Sequence, residues 1–233
     1  MKEISKILAS ALIATSIFCA IQVPVFARQG DYKFKQFTTE HGLSNGIINC
    51  TFKDSDGFIW FGTQNGLNRY DSHGIKVYQY EIHNNASISS NKISSIIEDS
   101  EGNLWVGTFF GLNKFDKKTE TFQRFFFEED NPNSLSSNEI KCLAITASDD
   151  LLIGTPNAGI NFYDHEDNQF TRYLKDDNQP GSLGDNTVYD ILQESSTEFW
   201  VCSDIGGIEL FDLTTGTFRK KIYDDNSKRT TMV

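Results

Sequence analysis

Apolar and polar positions between Asn91 and Asp130 fall into four short runs separated by turn clusters. Asn91 to Glu98 (NKISSIIE) is rich in β-branched residues and gives way to Asp99-Ser100-Glu101-Gly102. Asn103 to Thr108 (NLWVGT) is the second run, Gly111 restarts the chain, and Leu112 to Phe115 is the third, ending at Asp116-Lys117-Lys118-Thr119. Thr121 to Phe127 (TFQRFFF) is the fourth, closed by Glu128-Glu129-Asp130. Short β-branched and aromatic runs with such punctuation predict an antiparallel meander of four strands, named a to d from the inside outwards.

That pattern occurs four times. Ile59-Trp60-Phe61-Gly62-Thr63 is followed by Gly66-Leu67-Asn68-Arg69-Tyr70-Asp71, and Leu104-Trp105-Val106-Gly107-Thr108 by Gly111-Leu112-Asn113-Lys114-Phe115-Asp116. Two weaker copies run from Leu151 to Asp164 and from Phe199 to Asp212. The aromatic-Asp pair ends at Asp71, Asp116, Asp164 and Asp212, so successive repeats are 45, 48 and 48 residues apart by subtraction. A fixed period of this length predicts an all-β chain, a β-propeller of four-stranded antiparallel blades. The blades are placed at about residues 38–80, 81–127, 128–173 and 174–223. Tyr32 to Phe37 reads as an additional leading d strand. Because Thr217 to Tyr223 already supplies a d strand to the last blade, the leading strand is surplus in a four-blade ring. The expectation is therefore an arc of a larger propeller, followed by an irregular tail at 226–233.

The repeated residues have packing roles. Trp60, Trp105 and Trp200 should fill the space between blades, and Gly62, Gly107 and Gly154 should let adjacent sheets approach. Gly57 and Gly102 suit positive φ in the a–b turns. Leu152 replaces tryptophan in the third repeat and Cys202 replaces glycine in the fourth, so these two blades are expected to pack less tightly.

The first 27 residues are a separate object: Lys2 and Lys6, an apolar stretch from Ile7 to Val25, and Val25-Phe26-Ala27 before Arg28. This reads as a secretory signal cleaved after Ala27, with an uncleaved anchor as the alternative. Cleavage removes two of 21 basic and one of 32 acidic residues, leaving 19 against 31, a net charge of −12. So acidic a surface argues against nucleic acid and against membrane contact by the mature chain, which is placed in the periplasm. Cys50 and Cys142 occupy the same place in repeats one and three, a whole blade apart, and read as buried small side chains rather than a disulfide.

Several patterns imitate chemistry. Gly42-Leu43-Ser44-Asn45-Gly46 satisfies G-x-S-x-G, but a nucleophile elbow needs a following helix, whereas residues 47–52 read as strand a. Asp54-Ser55-Asp56-Gly57 and Asp176-Asp177-Asn178 are short turns without the dozen-residue loop of a calcium site. His41, His73, His83 and His165 lack metal-ligand spacing, and the repeated Asp71, Asp116, Asp164 and Asp212 suit c–d turns. No catalytic residue, metal or cofactor is assigned. A binding site belongs where the repeats differ, on the face shared by d–a and b–c loops. The candidates there are His41, Asn45, Gln64, Asn65, Asn91, Phe109, Phe110, Asn138, Asn157, Asn186 and Asp204, amides and aromatics able to hydrogen-bond and stack on a sugar. Asparagine's preference for turns is the competing explanation.

His41-Gly42-Leu43-Ser44-Asn45, Asp54 to Thr63 (DSDGFIWFGT), Gly66 to Asp71 (GLNRYD) and Asn131 to Asn138 (NPNSLSSN) resemble the regulator-propeller repeats of Bacteroidetes hybrid two-component systems. The resemblance covers about residues 31–225. It implies a sensor half with seven-bladed propellers, normally joined to a membrane helix, a histidine kinase, a receiver and a DNA-binding module. It also implies sensing of glycan breakdown products, with an oligosaccharide, a neighbouring propeller or a second copy as partner. The chain itself would carry no kinase or DNA-binding activity. A propeller-fold lyase or glycosidase, and an inactive fragment of a longer sensor gene, are the alternative readings.

Overall fold

Among the described residues, sixteen strands form four separate four-stranded antiparallel sheets, with strands adjacent in sequence adjacent in each sheet. The chain is seen in a computed structural model that describes residues 34–222. The first sheet comprises β1 (Ile48–Lys53), β2 (Ile59–Thr63), β3 (Gly66–Tyr70) and β4 (Ile75–Tyr78). The second comprises β5 (Ile93–Glu98), β6 (Leu104–Thr108), β7 (Gly111–Asp116) and β8 (Thr121–Phe125). The third comprises β9 (Cys142–Ile145), β10 (Leu151–Gly154), β11 (Ile160–Asp164) and β12 (Gln169–Tyr173). The fourth comprises β13 (Val188–Gln193), β14 (Glu198–Ser203), β15 (Gly207–Asp212) and β16 (Thr217–Ile222).

The expected meander is thus present in every repeat, with local differences. The run ending in Phe125-Phe126-Phe127 leaves the sheet at Phe125, and Phe127 instead forms an isolated parallel bridge with Leu135 in the following crossover. Of the expected leading strand, residues 34–37 carry no strand and residues 32 and 33 lie outside the described residues, as do the expected signal peptide and the tail. Phe37 nevertheless packs on the first blade, 4.7 Å from the Tyr70 ring and 5.6 Å from that of Phe61.

The blades meet in series. Inner strands β1, β5, β9 and β13 pack each on the next, with no comparable packing between β13 and β1, so the four do not close into a ring. Three apolar cores lie between them, built on one template. In the first core, Trp60, Leu67 and Tyr78 meet Ile93, Val106, Phe115 and Phe122 of the second blade. The glycine of strand b permits this closeness. A Cβ on Gly62 would lie 2.7 Å from Ile93 Cγ2, one on Gly107 2.7 Å from Ile140 Cγ2, and one on Gly154 2.8 Å from Val188 Cγ1. Leu152, where looser packing was expected, is fully buried. It shares its core with Phe199, which stands where leucine (Leu104, Leu151) stands in the two preceding blades. A smaller residue on one side is matched by a larger one on the other, which conserves packing volume.

Each tryptophan is also held by its indole N–H. Trp60 Nε1 donates to Asp54 at 2.8 Å, Trp105 to Asp99 at 3.1 Å and Trp200 to Glu194 at 2.7 Å. Repeat three loses both partners together, with Leu152 for tryptophan and Thr146 for aspartate. Gly57 (φ 90°) and Gly102 (φ 83°) turn these hairpins as expected.

The d–a crossovers reach the outer edge of the blade that follows. Phe122, Phe170 and Phe218 donate their backbone N–H to the carbonyls of Ala86, Asn133 and Gly181. Arg124 and Arg172 then clamp the same loops, Arg124 through Asn84 O and Ser87 O and Arg172 through Asn131 O and Ser134 O. An exposed edge strand is thereby partly covered.

Candidate functional site

Antiparallel order places the b–c turns and the inner ends of the d–a crossovers on one face, and the a–b and c–d turns on the other. At the first face a buried polar trio recurs. Ser44 N–H donates to Asn68 Oδ1 at 2.8 Å, Asn68 Nδ2 donates to Ser44 Oγ at 2.9 Å, and Ser44 Oγ lies 3.0 Å from Thr63 Oγ1. Ser89, Asn113 and Thr108 repeat the arrangement, and Ser136 and Asn161 exchange the same two bonds. The hydroxyl of the apparent nucleophile elbow is therefore a fastener between crossover and blade, and the segment after it is β1.

The fourth blade changes all three members at once, to Gly184, Glu209 and Ser203. Glu209 is fully buried and accepts the Gly184 N–H at 2.8 Å. A Cβ on Gly184 would come within 2.7 Å of that carboxylate oxygen, so the missing side chain makes room for the longer acid.

Three of the expected contact residues are fasteners as well. The carbonyls of Asn91, Asn138 and Asn186 accept the N–H of Gly66, Gly111 and Gly159, the b–c turn glycines of the preceding blades. Their side chains accept the N–H of Tyr80, Phe127 and Lys175 at 2.6–2.8 Å. These asparagines join blade to blade. Asn45 closes an Asx turn on Ile47 N–H. His41 sits in a 3-10 turn (Thr39–His41), hydrogen-bonded to Thr38 and preceding Gly42, which lies against Ile75 of β4. By repeat position it corresponds to Ala86, Asn133 and Gly181, so it belongs to the outer rim rather than the b–c face.

What the b–c face presents outward is a mixed surface. Gln64 donates to Asn49 Oδ1 and Gln79 donates to the Asn65 carbonyl. Lys92 Nζ sits 3.4 Å over the Phe109 ring, Phe110 is 55% exposed and lies 5.7 Å from Phe126, and Asn157 is exposed. Ile47, Tyr189 and Ile205 are exposed here too and were not anticipated. Tyr189 occupies a β-bulge, since the register of β13 on β14 shifts between Val188 and Asp190. The bulge turns an aromatic outward beside Asp204, whose charge pushes the phenol up. Equivalent bulges lie between Ile48 and Cys50 and between Ile93 and Ser95. Aligning strand a of the repeats and noting that only the fourth has an aromatic there would have found it.

The opposite face holds a cavity of about 750 Å³ between the first two blades. Ion pairs occupy its rim: Lys117 Nζ meets Asp56 Oδ2 at 2.7 Å, Glu98 Oε1 at 2.6 Å and Asp54 Oδ2 at 3.4 Å. The calcium-like Asp54 cluster is thus engaged with a lysine and an indole. The c–d aspartates behave as turn residues. Asp71 accepts the N–H of His73 and Gly74, and Asp116 that of Lys118 and Thr119, which hold both carboxyls below the ordinary range. Cys50 and Cys142 are free thiols, each pushed up to about 12 by burial.

Comparison with known proteins agrees with this architecture. Residues 42–65 and 87–110 match the two component regulator propeller family. A histidine kinase P4 of Formosa agariphila is 36% identical over 73 residues, which is 31% of this chain and 5% of the relative. The extracellular domain of a hybrid two component system protein from B. thetaiotaomicron superposes with a TM-score of 0.72 at 22% identity, covering 81% of this chain and 26% of that one. The extracellular domain of a one component system protein from the same organism gives 0.63 at 28% identity, covering 76% and 23%. A virginiamycin B lyase of Staphylococcus aureus shares the fold, with a TM-score of 0.57 at 18% identity and coverage of 86% and 63%. The chain therefore spans about a quarter of the two solved extracellular domains and a small fraction of the kinase.

Proposed function

We propose that this chain, which carries two component regulator propeller repeats, is the extracytoplasmic ligand-sensing part of a two-component signalling protein. It works by binding rather than catalysis. The observation that carries the reading is the family match at 42–65 and 87–110, which falls on the fastening residues that build the first two blades. The b–c face supplies the recognition surface: amides at Gln64, Asn65 and Asn157, rings at Phe109, Phe110 and Tyr189, and the Asp204 carboxylate. Aromatic faces stack on the apolar faces of sugars while amides and an acid bond their hydroxyls, so neutral glycan breakdown products suit it, and the chain's acidity disfavours polyanions. The periplasm is the compartment in which such products would be met.

Titration calorimetry of the exported chain against neutral oligosaccharides tests the proposal. Saturable binding that weakens at least tenfold in Phe110→Ala, with no turnover of the sugar, is the expected result. A folded protein that binds none of the set would overturn direct sensing, and cleavage of any sugar would move the chain to the lyase or glycosidase class.

A further inference from the structure

Across the b–c strand pair of the last two blades, a carboxylate at the start of strand b faces the c–d turn aspartate. In the fourth blade these are Glu198 and Asp212, paired in register. Arg219 bridges them, bonded to Glu198 and 3.7 Å from Asp212 Oδ2. In the third blade the same positions hold Asp150 and Asp164, while Thr171 stands where Arg219 would be. No lysine or arginine among the described residues pairs with either acid; only His165 does, its Nδ1 lying 2.8 Å from Asp150 Oδ1. The first two blades have Phe58 and Asn103 at the strand-b position, so no second acid arises there.

We propose that Asp150, Asp164 and His165 form a binding site for one divalent transition ion of the zinc type. One ligand atom from each lies within 4.8 Å of the others, and closing onto a common ion at zinc–ligand distances of about 2 Å takes side-chain rotations that move these atoms by about an ångström. Both carboxylates are already oriented. Asp150 Oδ2 accepts the Ser148 hydroxyl at 2.8 Å, and Asp164 Oδ1 accepts the N–H of Glu166 and Asp167, leaving Oδ2 to coordinate. Oriented ligands of this kind bind metal more tightly than free ones. The imidazole selects a borderline ion over calcium or magnesium, which prefer all-oxygen shells. His165 also lines a cavity of about 280 Å³ between blades two and three, where water can complete the coordination. The ion would do in blade three what Arg219 does in blade four: neutralise two facing carboxylates and tie the b–c hairpin to its turn.

The test is calorimetry of the untagged full chain, stripped with chelator, with Zn²⁺ alone as probe. One saturable site per chain is expected, weakened more than tenfold in Asp164→Asn and in His165→Ala. Ser148→Ala should weaken it roughly tenfold, as loss of an outer partner does. His73→Ala, in the corresponding turn of the first blade, leaves it unchanged. Should a variant misfold, Co²⁺ added to the unaltered chain reports the same site through an intense visible spectrum of low coordination number. No saturable zinc uptake, uptake that survives both substitutions, or only the faint spectrum of hexaaquo cobalt would each overturn the proposal.

Discussion

Replacing Gly107 by alanine isolates the closeness of two blades in a single methyl group. The backbone there is ordinary for a strand, so alanine gains about 0.5–1 kcal/mol by restricting the unfolded chain and strengthening the strand. Against that, the new Cβ would lie 2.7 Å from Ile140 Cγ2, 3.1 Å from Ser94 Oγ and 3.2 Å from Ile140 Cβ. Ile140 is itself 1% exposed and has nowhere to go, so the methyl overpacks the second interface at a cost of about 1–3 kcal/mol. The difference leaves a net cost of about 0–2.5 kcal/mol, centred a little above 1, which for a domain of this size lowers Tm by up to about 10 °C. Gly46 provides the control, since nothing lies within 4 Å of its added Cβ. Gly46→Ala should leave Tm level or raise it. Thermal melts followed by circular dichroism compare the two, and adding Ile140→Ala to Gly107→Ala should reveal favourable coupling between the substitutions. A Gly107→Ala protein melting at or above the unaltered chain, with no coupling to Ile140, would refute the claim that this glycine exists to admit the next blade.

Removing the Asp54 carboxylate as Asp54→Ala strands a buried indole N–H and takes one partner from Lys117, so a loss of about 1–3 kcal/mol is expected in urea unfolding followed by tryptophan fluorescence. Asp54→Asn, which keeps an acceptor, should lose less. The half-buried Cys50 and the buried Cys142 give a pH prediction. The folded state holds Cys50 and Cys142 protonated up to about 12, above the 9.0 of a free thiol, so the unfolded state releases these protons first. Their stabilisation is complete below about pH 9 and is lost progressively as pH rises toward 12, visible as a falling urea midpoint over that interval. Alkylation at pH 8 should correspondingly spare both in native protein and label them after unfolding.

The repeat made the blades legible because a, b, c and d strands need only local alternation and turn residues, and these lie within a few positions of one another. Trp60, Gly62 and Gly57 could be assigned roles from spacing alone. The fasteners were less accessible because their partners lie 19 to 24 residues away, as with Ser44, Thr63 and Asn68. Their signature was nevertheless written in the exceptions: Trp to Leu152 travels with Asp to Thr146, and Asn to Glu209 travels with Ser to Gly184. Read singly, Asn91, Asn138 and Asn186 looked like ligands, whereas their matching positions identify joints. Residues 34–37 depart from the expected leading strand for another reason. Tyr32 to Phe37 has the alternation of a strand, but alternation does not supply a neighbour, and among the described residues Phe37 finds its partners in the rings of Phe61 and Tyr70 instead.

The crossovers that fasten each outer strand also define what can be copied. Ala86, Asn133 and Gly181 all precede the blade whose edge they cover, so crossover and following four strands travel as one stretch of chain. A duplication that begins in the crossover delivers a blade with its own edge protection and its own joint to the blade before. One beginning at strand a would separate the cover from the edge it protects. The inheritable unit is therefore offset from the visible blade, and arrays of this kind can lengthen or shorten by whole units without ever presenting an unguarded margin in between.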